Sequence, residues 1–318
     1  MKKNLDKSSP NQFRGHLEGD FFSRIRIYLE EMYPASNIVF GLLFFMSAWC
    51  GIALLYHSGN GNLLPPGYVL VSGAFTISLM LLLLRIMDEL KDLETDLLHF
   101  PDRPVPRGDV HSSDLKLLGL FLVGVLFILN SFFTHAPLIF LAVFGYACLM
   151  YKYFFLKELI SKNILMALAT HNPISYLFFL YVVFIYKNNM TSPIHMGRVL
   201  LLGTVFLCSS MSWEIARKIR YPEDETAYQT YSTVLGLGAS ILIPIILSGA
   251  SLAVITFLYH DIFAGFTFLY MIAVYLFMVM SFLRFYKKQP ILFGLKTTTE
   301  VFIVNIQSIL VLEGILIV

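Results

Sequence analysis

Nine long apolar stretches run through the chain, separated by shorter polar connections. A helix that crosses a bilayer needs about 20 mostly apolar residues, and the stretches approach or exceed this length. The pattern predicts an all-α fold, a polytopic membrane helix bundle with nine transmembrane helices, of which the sixth is short or tilted. The predicted spans are residues 35–56, 67–84, 117–133, 136–151, 164–186, 196–212, 234–259, 262–283 and 301–318.

The residues before the first span follow a different pattern. Between residues 20 and 33, apolar residues recur at helical spacing with charged residues between them: Phe21, Ile25, Tyr28 and Met32. This spacing predicts an interfacial helix on the cytoplasmic membrane surface, with a plain polar leader as the alternative. We therefore expect a cytoplasmic N-terminal segment, residues 1–33, followed by a transmembrane domain, residues 34–318.

Basic residues are distributed unevenly between the two sides of the predicted bundle. Of the 23 lysines and arginines, all but Lys187 and Arg198 fall in the N-terminal tail or in every second connection. Because basic loops stay cytoplasmic, we expect a multi-pass protein of a bacterial inner membrane, with its N-terminus inside and its C-terminus outside. A hydrophobic content of 57% and a net charge of only +2 exclude a disordered or nucleic-acid-binding chain.

Acidic residues concentrate at the cytoplasmic ends of the second and sixth predicted spans. After the second span, Asp88, Asp92 and Asp96 recur every fourth residue, with Glu89 beside them. On a continuous helix they form one stripe, and like charges at this spacing repel each other. Mg²⁺ relieves such repulsion and takes one or two carboxylates together with phosphate oxygens of a substrate. The stripe therefore predicts a metal-bound diphosphate site, with solvated loop charge as the alternative.

The segment PDRPVPRG follows this stripe at residues 101–108. Three prolines and a glycine end a helix and stiffen the loop. Such a loop can hold Arg103 and Arg107 near the acidic stripe, where a guanidinium contacts two phosphate oxygens at once. Pairing with Asp102 or Asp109 in a solvated turn is the alternative.

These two segments resemble the first motif of the UbiA superfamily of intramembrane prenyltransferases, N-D-x-x-D-x-x-x-D followed by a segment similar to PDRPLPSG. Asp88 stands at the Asn position, and Glu89, Asp92 and Asp96 stand at the three Asp positions. Asp88 and Glu89 differ from the family's residues but preserve an oxygen ligand. The resemblance covers essentially the whole chain, since nine helices with motifs after helices two and six are also the family's architecture.

The second acidic segment, SWEIARKIRYPEDETAYQTYSTVLG, departs further from the family, which has two Asp four residues apart and then a Thr. Glu214 fits the first acidic position and Thr230 the closing Thr, but Lys218 stands where the second carboxylate is expected. In one interpretation, Asp224 or Glu225 folds back to complete a metal site with Glu214.

In a second interpretation, protein cations replace a second metal. Arg217, Lys218 and Arg220 then neutralise the diphosphate directly, or they are simply the basic flank of the seventh span. We favour a mixed site. Tyr151 and Lys157 in LMYKYFFLKE resemble the family's Tyr and Lys on the same face, so Lys157 is either a diphosphate contact or another cytoplasmic charge.

Our hypothesis is a Mg²⁺-dependent prenyltransferase. Its prenyl diphosphate substrate enters the site from the surrounding membrane lipid. The resemblance implies an aromatic or quinone-precursor acceptor, which is lipophilic. The alternatives are a phosphoribosyl or other diphosphate-donor transferase acting on a lipid, and a cation-binding transporter. The candidate residues are Asp88, Asp92, Asp96 and Glu214 for catalysis; Arg103, Lys157, Arg217 and Lys218 for the diphosphate; and Asp88, Glu89, Asp92, Asp96, Glu214 and Asp224 for the metal.

Overall fold

The computed structural model describes residues 19–56, 64, 66–190 and 195–316, and every regular element among them is helical. The helices are α1 (Phe21–Met32), α2 (Ala35–Leu55), α3 (Gly67–Lys91), α4 (Leu93–His99), α5 (Pro104–Arg107), α6 (Ser112–Ile128), α7 (Pro137–Tyr151), α8 (Lys157–Ile160), α9 (Ile164–His171), α10 (Pro173–Asn189), α11 (Met196–Ala216), α12 (Tyr231–Tyr259), α13 (Gly265–Tyr286) and α14 (Leu295–Leu316).

The predicted all-α membrane bundle is confirmed. Eight helical segments of the described chain are long and apolar enough to cross a membrane. The fourth predicted span corresponds to α7, which has only 15 residues, so the count of nine is not confirmed. The sixth span is not short: α11 has 21 residues, because its helix continues to Ala216.

Small polar residues bring two of the long helices together. The hydroxyls of Ser212 and Ser248 lie 3.0 Å apart where α11 packs along α12, and those of Ser209 and Ser251 lie 3.5 Å apart. Small side chains allow close backbone approach between membrane helices, and their hydroxyls hydrogen-bond across the contact. α11 also packs against α2, α10 and α14, so its C-terminal end is held from several sides.

The fifth predicted span is divided into two helices. α9 ends at His171, and α10 begins at Pro173, whose nitrogen has no hydrogen to donate. Asn172, between them, is buried and accepts a hydrogen bond from Ser210 of α11 at 3.1 Å. The break places His171 at the same end of the bundle as the two acidic motifs.

Residues 21–32, where the sequence predicts an interfacial helix, form the helix α1. Its apolar face packs onto the bundle: Tyr28 is fully buried and Ile25 is buried, while Phe22 on another face is 77% exposed. Asp20 begins the helix by accepting a hydrogen bond from the backbone nitrogen of Ser23 at 2.9 Å, a typical N-cap. The apolar stripe therefore serves tertiary packing.

Candidate active site

The helix that carries the first acidic motif bends within it. α3 ends at Lys91, and Asp92 has φ −101° and ψ 13° before α4 begins at Leu93. Backbone hydrogen bonds of 2.9 Å still join Asp92 to Asp88 and Asp96 to Asp92. The carboxylates therefore do not all lie on one continuous helix, and aspartate, a weak helix former, stands at the bend. The bend lets the three aspartates take different partners.

Asp88 pairs with a lysine one turn further along. Lys91 Nζ lies 2.8 Å from Asp88 Oδ1, and the lysine side chain is only 5% exposed. The same Nζ lies 3.3 Å from Nε2 of His171, whose Nδ1 lies 3.0 Å from the carbonyl oxygen of Ala167. Because Nδ1 donates to that carbonyl, Nε2 is the acceptor for the ammonium group. Lys91 thus connects α3 to the break between α9 and α10.

Asp92 accepts a hydrogen bond from the Tyr153 hydroxyl, and Lys91 Nζ lies 4.8 Å from the centre of that ring. Tyr153, Phe154 and Phe155 have φ values of 50°, 50° and 63°. This left-handed turn is unfavourable for residues with side chains and persists only where contacts hold it. Burial raises the pKa of Asp92, while Lys91 and the Tyr153 hydroxyl oppose that rise.

Asp96 is paired with an arginine from the proline-rich loop. Arg103 Nη1 lies 2.6 Å from Asp96 Oδ2, and the guanidinium lies 4.0 Å from the centre of the Phe100 ring. The loop turns into the short helix α5, which begins at Pro104, ends at Arg107 and is capped by Gly108. Gly108 has φ 90°, a conformation that glycine adopts without strain. The proline-rich segment therefore brings Arg103 to the acidic motif.

Glu89 faces a different set of groups. Its side chain is buried, and Arg85 Nη2 lies 2.7 Å from Oε2. Neither carboxylate oxygen accepts a hydrogen bond within the described chain. A buried carboxylate normally has both an ion pair and several hydrogen bonds. Glu89 therefore retains oxygen lone pairs that a ligand or a moving side chain can use.

The second motif contains a carboxylate between two cations. Glu214 lies 2.6 Å from Arg217 Nε and 3.0 Å from Lys218 Nζ. Lys218, at the position of the expected second carboxylate, thus neutralises the first. Arg217 also lies 5.1 Å from the centre of the Trp213 ring, and Trp213 Nε1 donates to Glu300 at 2.9 Å. These contacts connect the motif to α14.

The later carboxylates of this segment do not join the site. Asp224 is exposed in a turn. Glu225 accepts hydrogen bonds of 2.7 Å from the hydroxyls of Thr230 and Ser232, at the start of α12. Among the described contacts of Asp224 and Glu225, none reaches Glu214. Glu225 instead stabilises the beginning of a helix, a place where side-chain oxygens and negative charge are favourable.

Tyr228 joins the two motifs. Its ring centre lies 5.2 Å from that of Phe100 and 5.8 Å from that of His99, both in the segment after the first motif. Lys218 Nζ lies 5.9 Å from the centre of the Tyr228 ring. A single aromatic side chain therefore packs between the loop of one acidic motif and a cation of the other.

Charges from both motifs also act on the same groups. The His171 imidazole is within electrostatic reach of Asp88 and of Glu214, and the Arg217 guanidinium is within reach of Asp88. The ends of α3 and α11 therefore meet around one site rather than on remote sides of the bundle.

A cavity of about 260 Å³ opens beside this site. Its lining is rich in cations and hydroxyls: Leu90, Lys91, Tyr151, Lys152, Tyr153 and Lys157. Because Lys91 and Tyr153 also contact the first motif, the cavity adjoins Asp88 and Asp92. Lysine ammonium groups at such a position are suited to bind phosphate oxygens. Lys157, far along the chain, is brought to this cavity.

A model of the UbiA prenyltransferase family matches residues 36–292, a range that includes both acidic motifs. The chain belongs to the UbiA prenyltransferase family. Its fold is similar to that of a solved digeranylgeranylglyceryl phosphate synthase, with a TM-score of 0.58, 15% identity, and coverage of 92% of this chain and 98% of that one. No curated protein sequence matches. Family membership makes the chain a membrane transferase and gives no support to a cation transporter.

Several residues of this UbiA site escape sequence reasoning. Lys91 lies inside the first motif, but in the sequence it is only a basic residue between acidic ones, and its spacing predicts no functional role. Tyr153 lies two residues after Tyr151, but its position depends on a left-handed turn that no residue preference predicts. Lys152 and Tyr228 carry no pattern of their own. Their roles arise from contacts with residues distant in the sequence.

The carboxylates of this UbiA chain are suited to bind Mg²⁺ when a diphosphate substrate supplies the other ligands. Within the described residues, no group of three or more Asp, Glu, His or Cys side chains is arranged around a common metal position. Mg²⁺ needs only one or two protein carboxylates when a diphosphate supplies further oxygens. The carboxylates of both motifs, including Glu89, whose oxygens accept no hydrogen bond in the described chain, meet that requirement.

Proposed function

We propose that the protein is a Mg²⁺-dependent prenyltransferase that moves a prenyl group from a prenyl diphosphate to a lipophilic acceptor. The observation that carries this proposal is the meeting of two motifs in which carboxylates alternate with buried or half-buried cations. Such a site has groups for a metal and groups for a diphosphate within one small volume. The surrounding helices are apolar and offer lipid-like surface to a prenyl chain.

The ion pairs define what each group does. In the free protein Lys91, Arg103 and Lys218 each neutralise a carboxylate. A diphosphate attracts these cations to its own oxygens, together with Lys157 and Arg217, and leaves carboxylate oxygens free. Asp88, Asp92, Asp96 and Glu214 are the residues that hold Mg²⁺ in this proposal, and Glu89 is a further candidate. The bound metal supplies Lewis-acid neutralisation of the diphosphate leaving group.

The protein side chains assist the same bond cleavage. Arg103 and the lysines stabilise negative charge as it develops on the departing diphosphate. The acceptor nucleophile then attacks the allylic carbon from which the diphosphate departs. The bound prenyl chain and acceptor displace water from the reacting carbon, since water otherwise competes as the nucleophile.

The test uses purified protein in nanodiscs with farnesyl or geranylgeranyl diphosphate and candidate acceptors. We expect turnover only with Mg²⁺, and a loss of about 100-fold or more in Asp92→Asn. Asp261→Asn is the matched control, since Asp261 is 83% exposed. An Asp92→Asn variant with full Mg²⁺-dependent turnover would show that the assigned role is wrong.

The candidate acceptors belong to two chemical classes. The family resemblance favours an aromatic or quinone-precursor acceptor. The name of the similar structure, digeranylgeranylglyceryl phosphate synthase, favours a glycerol phosphate lipid. Parallel assays with a hydroxybenzoate, a naphthoate and a prenylated glycerol phosphate distinguish these classes. Replacing the prenyl donor by a phosphoribosyl diphosphate in the same assay tests the remaining transferase hypothesis.

We propose that the site faces the cytoplasm, as the basic residues indicate. A membrane-impermeant thiol reagent should label Lys187→Cys from outside and Lys162→Cys only after permeabilisation, in a protein whose natural cysteines are replaced by alanine. The opposite pattern would reverse the orientation. Placement in a bacterial inner membrane stays a prediction from the sequence.

A further inference from the structure

Ion pairs hold α1 against the bundle. Arg24 donates from Nε and Nη2 to the two carboxylate oxygens of Asp114 on α6, at 2.7 and 2.9 Å. Glu31 accepts from Arg107 Nη2 on α5 at 2.8 Å. Arg24, Tyr28 and Glu31 are spaced four and three residues apart, so they lie on one face of the helix. That face is therefore the one turned toward the first motif and its loop.

Tyr28 lies between these two ion pairs. Its side chain is fully buried, and its hydroxyl has no hydrogen-bond partner in the described chain. Burial raises the pKa of Tyr28 and the charge of Glu89 acts in the same direction, while Arg85 and Arg103 oppose it. The hydroxyl is thus within electrostatic reach of the first motif. α1 brings an unused hydrogen-bond donor to the motif.

Glu89 lacks hydrogen-bond donors, whereas Tyr28 lacks an acceptor. Its side chain is 2% exposed, it is paired with Arg85, and neither oxygen accepts a hydrogen bond. Buried polar groups without hydrogen bonds are unfavourable and uncommon. An ionised carboxylate only accepts, and a tyrosine hydroxyl donates. Tyr28 and Glu89 each have the group that the other lacks.

We propose that α1 is a latch on the diphosphate site, and that Tyr28 is a positioning residue whose hydroxyl donates to Glu89 when the site is loaded. This inference rests on the proposed function. When Mg²⁺ is held by the aspartates and Glu214, a bound diphosphate attracts Arg85, which leaves Glu89 buried without its cation. An uncompensated buried carboxylate is strongly unfavourable. The Tyr28 hydroxyl then supplies a charge-assisted hydrogen bond, so that occupancy tightens α1 against the bundle.

The experiment measures hydrogen exchange of full-length protein in nanodiscs, with and without Mg²⁺ and inorganic diphosphate. Tyr28→Phe removes only the hydroxyl. Tyr33→Phe is the matched control, because the buried Tyr33 hydroxyl donates to the Ser78 carbonyl at 2.6 Å, away from the motif. We expect diphosphate to slow exchange at residues 21–32 in the wild type and in Tyr33→Phe. In Tyr28→Phe we expect no slowing, and about ten-fold weaker diphosphate binding.

Two results overturn the latch while the proposed function stands. One is normal slowing at residues 21–32 in Tyr28→Phe. The other is protection of residues 88–103 by diphosphate with no change at residues 21–32 in the wild type. If neither segment responds, diphosphate binding itself fails and the latch fails with it.

Asp114→Asn is a second variant that loosens α1 without altering Tyr28 or Glu89. We expect faster exchange at residues 21–32 in the free protein and weaker diphosphate binding. Faster exchange with unchanged diphosphate affinity would show that α1 does not act on the site.

Discussion

Tyr228 packs edge-on against Phe100, with ring centres 5.2 Å apart and planes at 75°. One residue belongs to the loop after α11, and the other follows the acidic helix α4. Edge-to-face aromatic pairs contribute about 0.5–1.5 kcal/mol beyond their burial. The contact therefore helps to hold Glu214 and its cations near the aspartates of the first motif. It is a direct contact between the two motif segments.

Removing this ring should separate the two motifs. We expect Tyr228→Ala to raise the KM for the prenyl diphosphate by about five- to ten-fold, since the loss of one aromatic pair costs on the order of 1 kcal/mol. Tyr228→Phe keeps the ring and should retain nearly wild-type kinetics. Steady-state kinetics of both variants check this. An equal loss in both would point to the hydroxyl and not to packing.

Lys218 should bind diphosphate rather than metal. We expect Lys218→Ala to weaken binding of the prenyl diphosphate by about ten-fold, because one charge-assisted contact is lost. The Mg²⁺ concentration for half-maximal activity should change little. Titration of each component at saturating levels of the other separates the two effects. A large shift in the Mg²⁺ requirement alone would contradict this role.

Lys218→Asp places a carboxylate at the position where the family usually has one. Two carboxylates four residues apart then repel each other and gain from a cation. We expect Lys218→Asp to be less stable than Lys218→Ala without Mg²⁺, and to gain more stability than Lys218→Ala when Mg²⁺ is added. Thermal unfolding with and without Mg²⁺ measures this. Equal stability of the two variants in both conditions would argue against metal binding at Glu214.

The Tyr153 hydroxyl should set the acidic limit of activity. Burial raises the pKa of Asp92, and this hydroxyl acts against the rise. Tyr153→Phe removes that opposition, so the pKa of Asp92 rises further and its carboxylate is lost at a higher pH. Metal binding requires the ionised carboxylate. The acidic limb of the pH profile of kcat/KM should therefore move to higher pH, and an unmoved limb would contradict the assignment.

Lys91 should affect binding more than folding. Asp88, its partner, is 48% exposed and can be hydrated when the lysine is lost. We expect Lys91→Met to raise the KM for the prenyl diphosphate by about ten-fold with a small change in the unfolding temperature. Lys187→Met, an exposed residue at the opposite end, is the control. A large loss of stability with normal KM would assign Lys91 a structural role only.

Much of the fold follows from local patterns. Apolar runs long enough to span a bilayer locate the long helices but not all of their ends, because backbone groups in lipid must be satisfied within a helix while helix ends depend on local contacts. The PDRPVPRG segment likewise places Arg103 correctly, since proline and glycine act locally. The hydrogen-bond partner of Asp92 was not predicted, because it is Tyr153, a residue 61 positions away.

The amino-acid order alone determined that this chain is a membrane helix bundle with two acidic segments on one side, since hydrophobicity and charge act residue by residue. Pairs within one helix, Lys218 with Glu214 and Lys91 with Asp88, also follow from spacing of three or four residues. Only the folded arrangement decided the contacts between distant segments: Lys91 with His171, Tyr153 with Asp92, and Trp213 with Glu300. Local patterns cannot assign such pairs, because Coulomb and hydrogen-bond energies depend on distances that long-range packing sets.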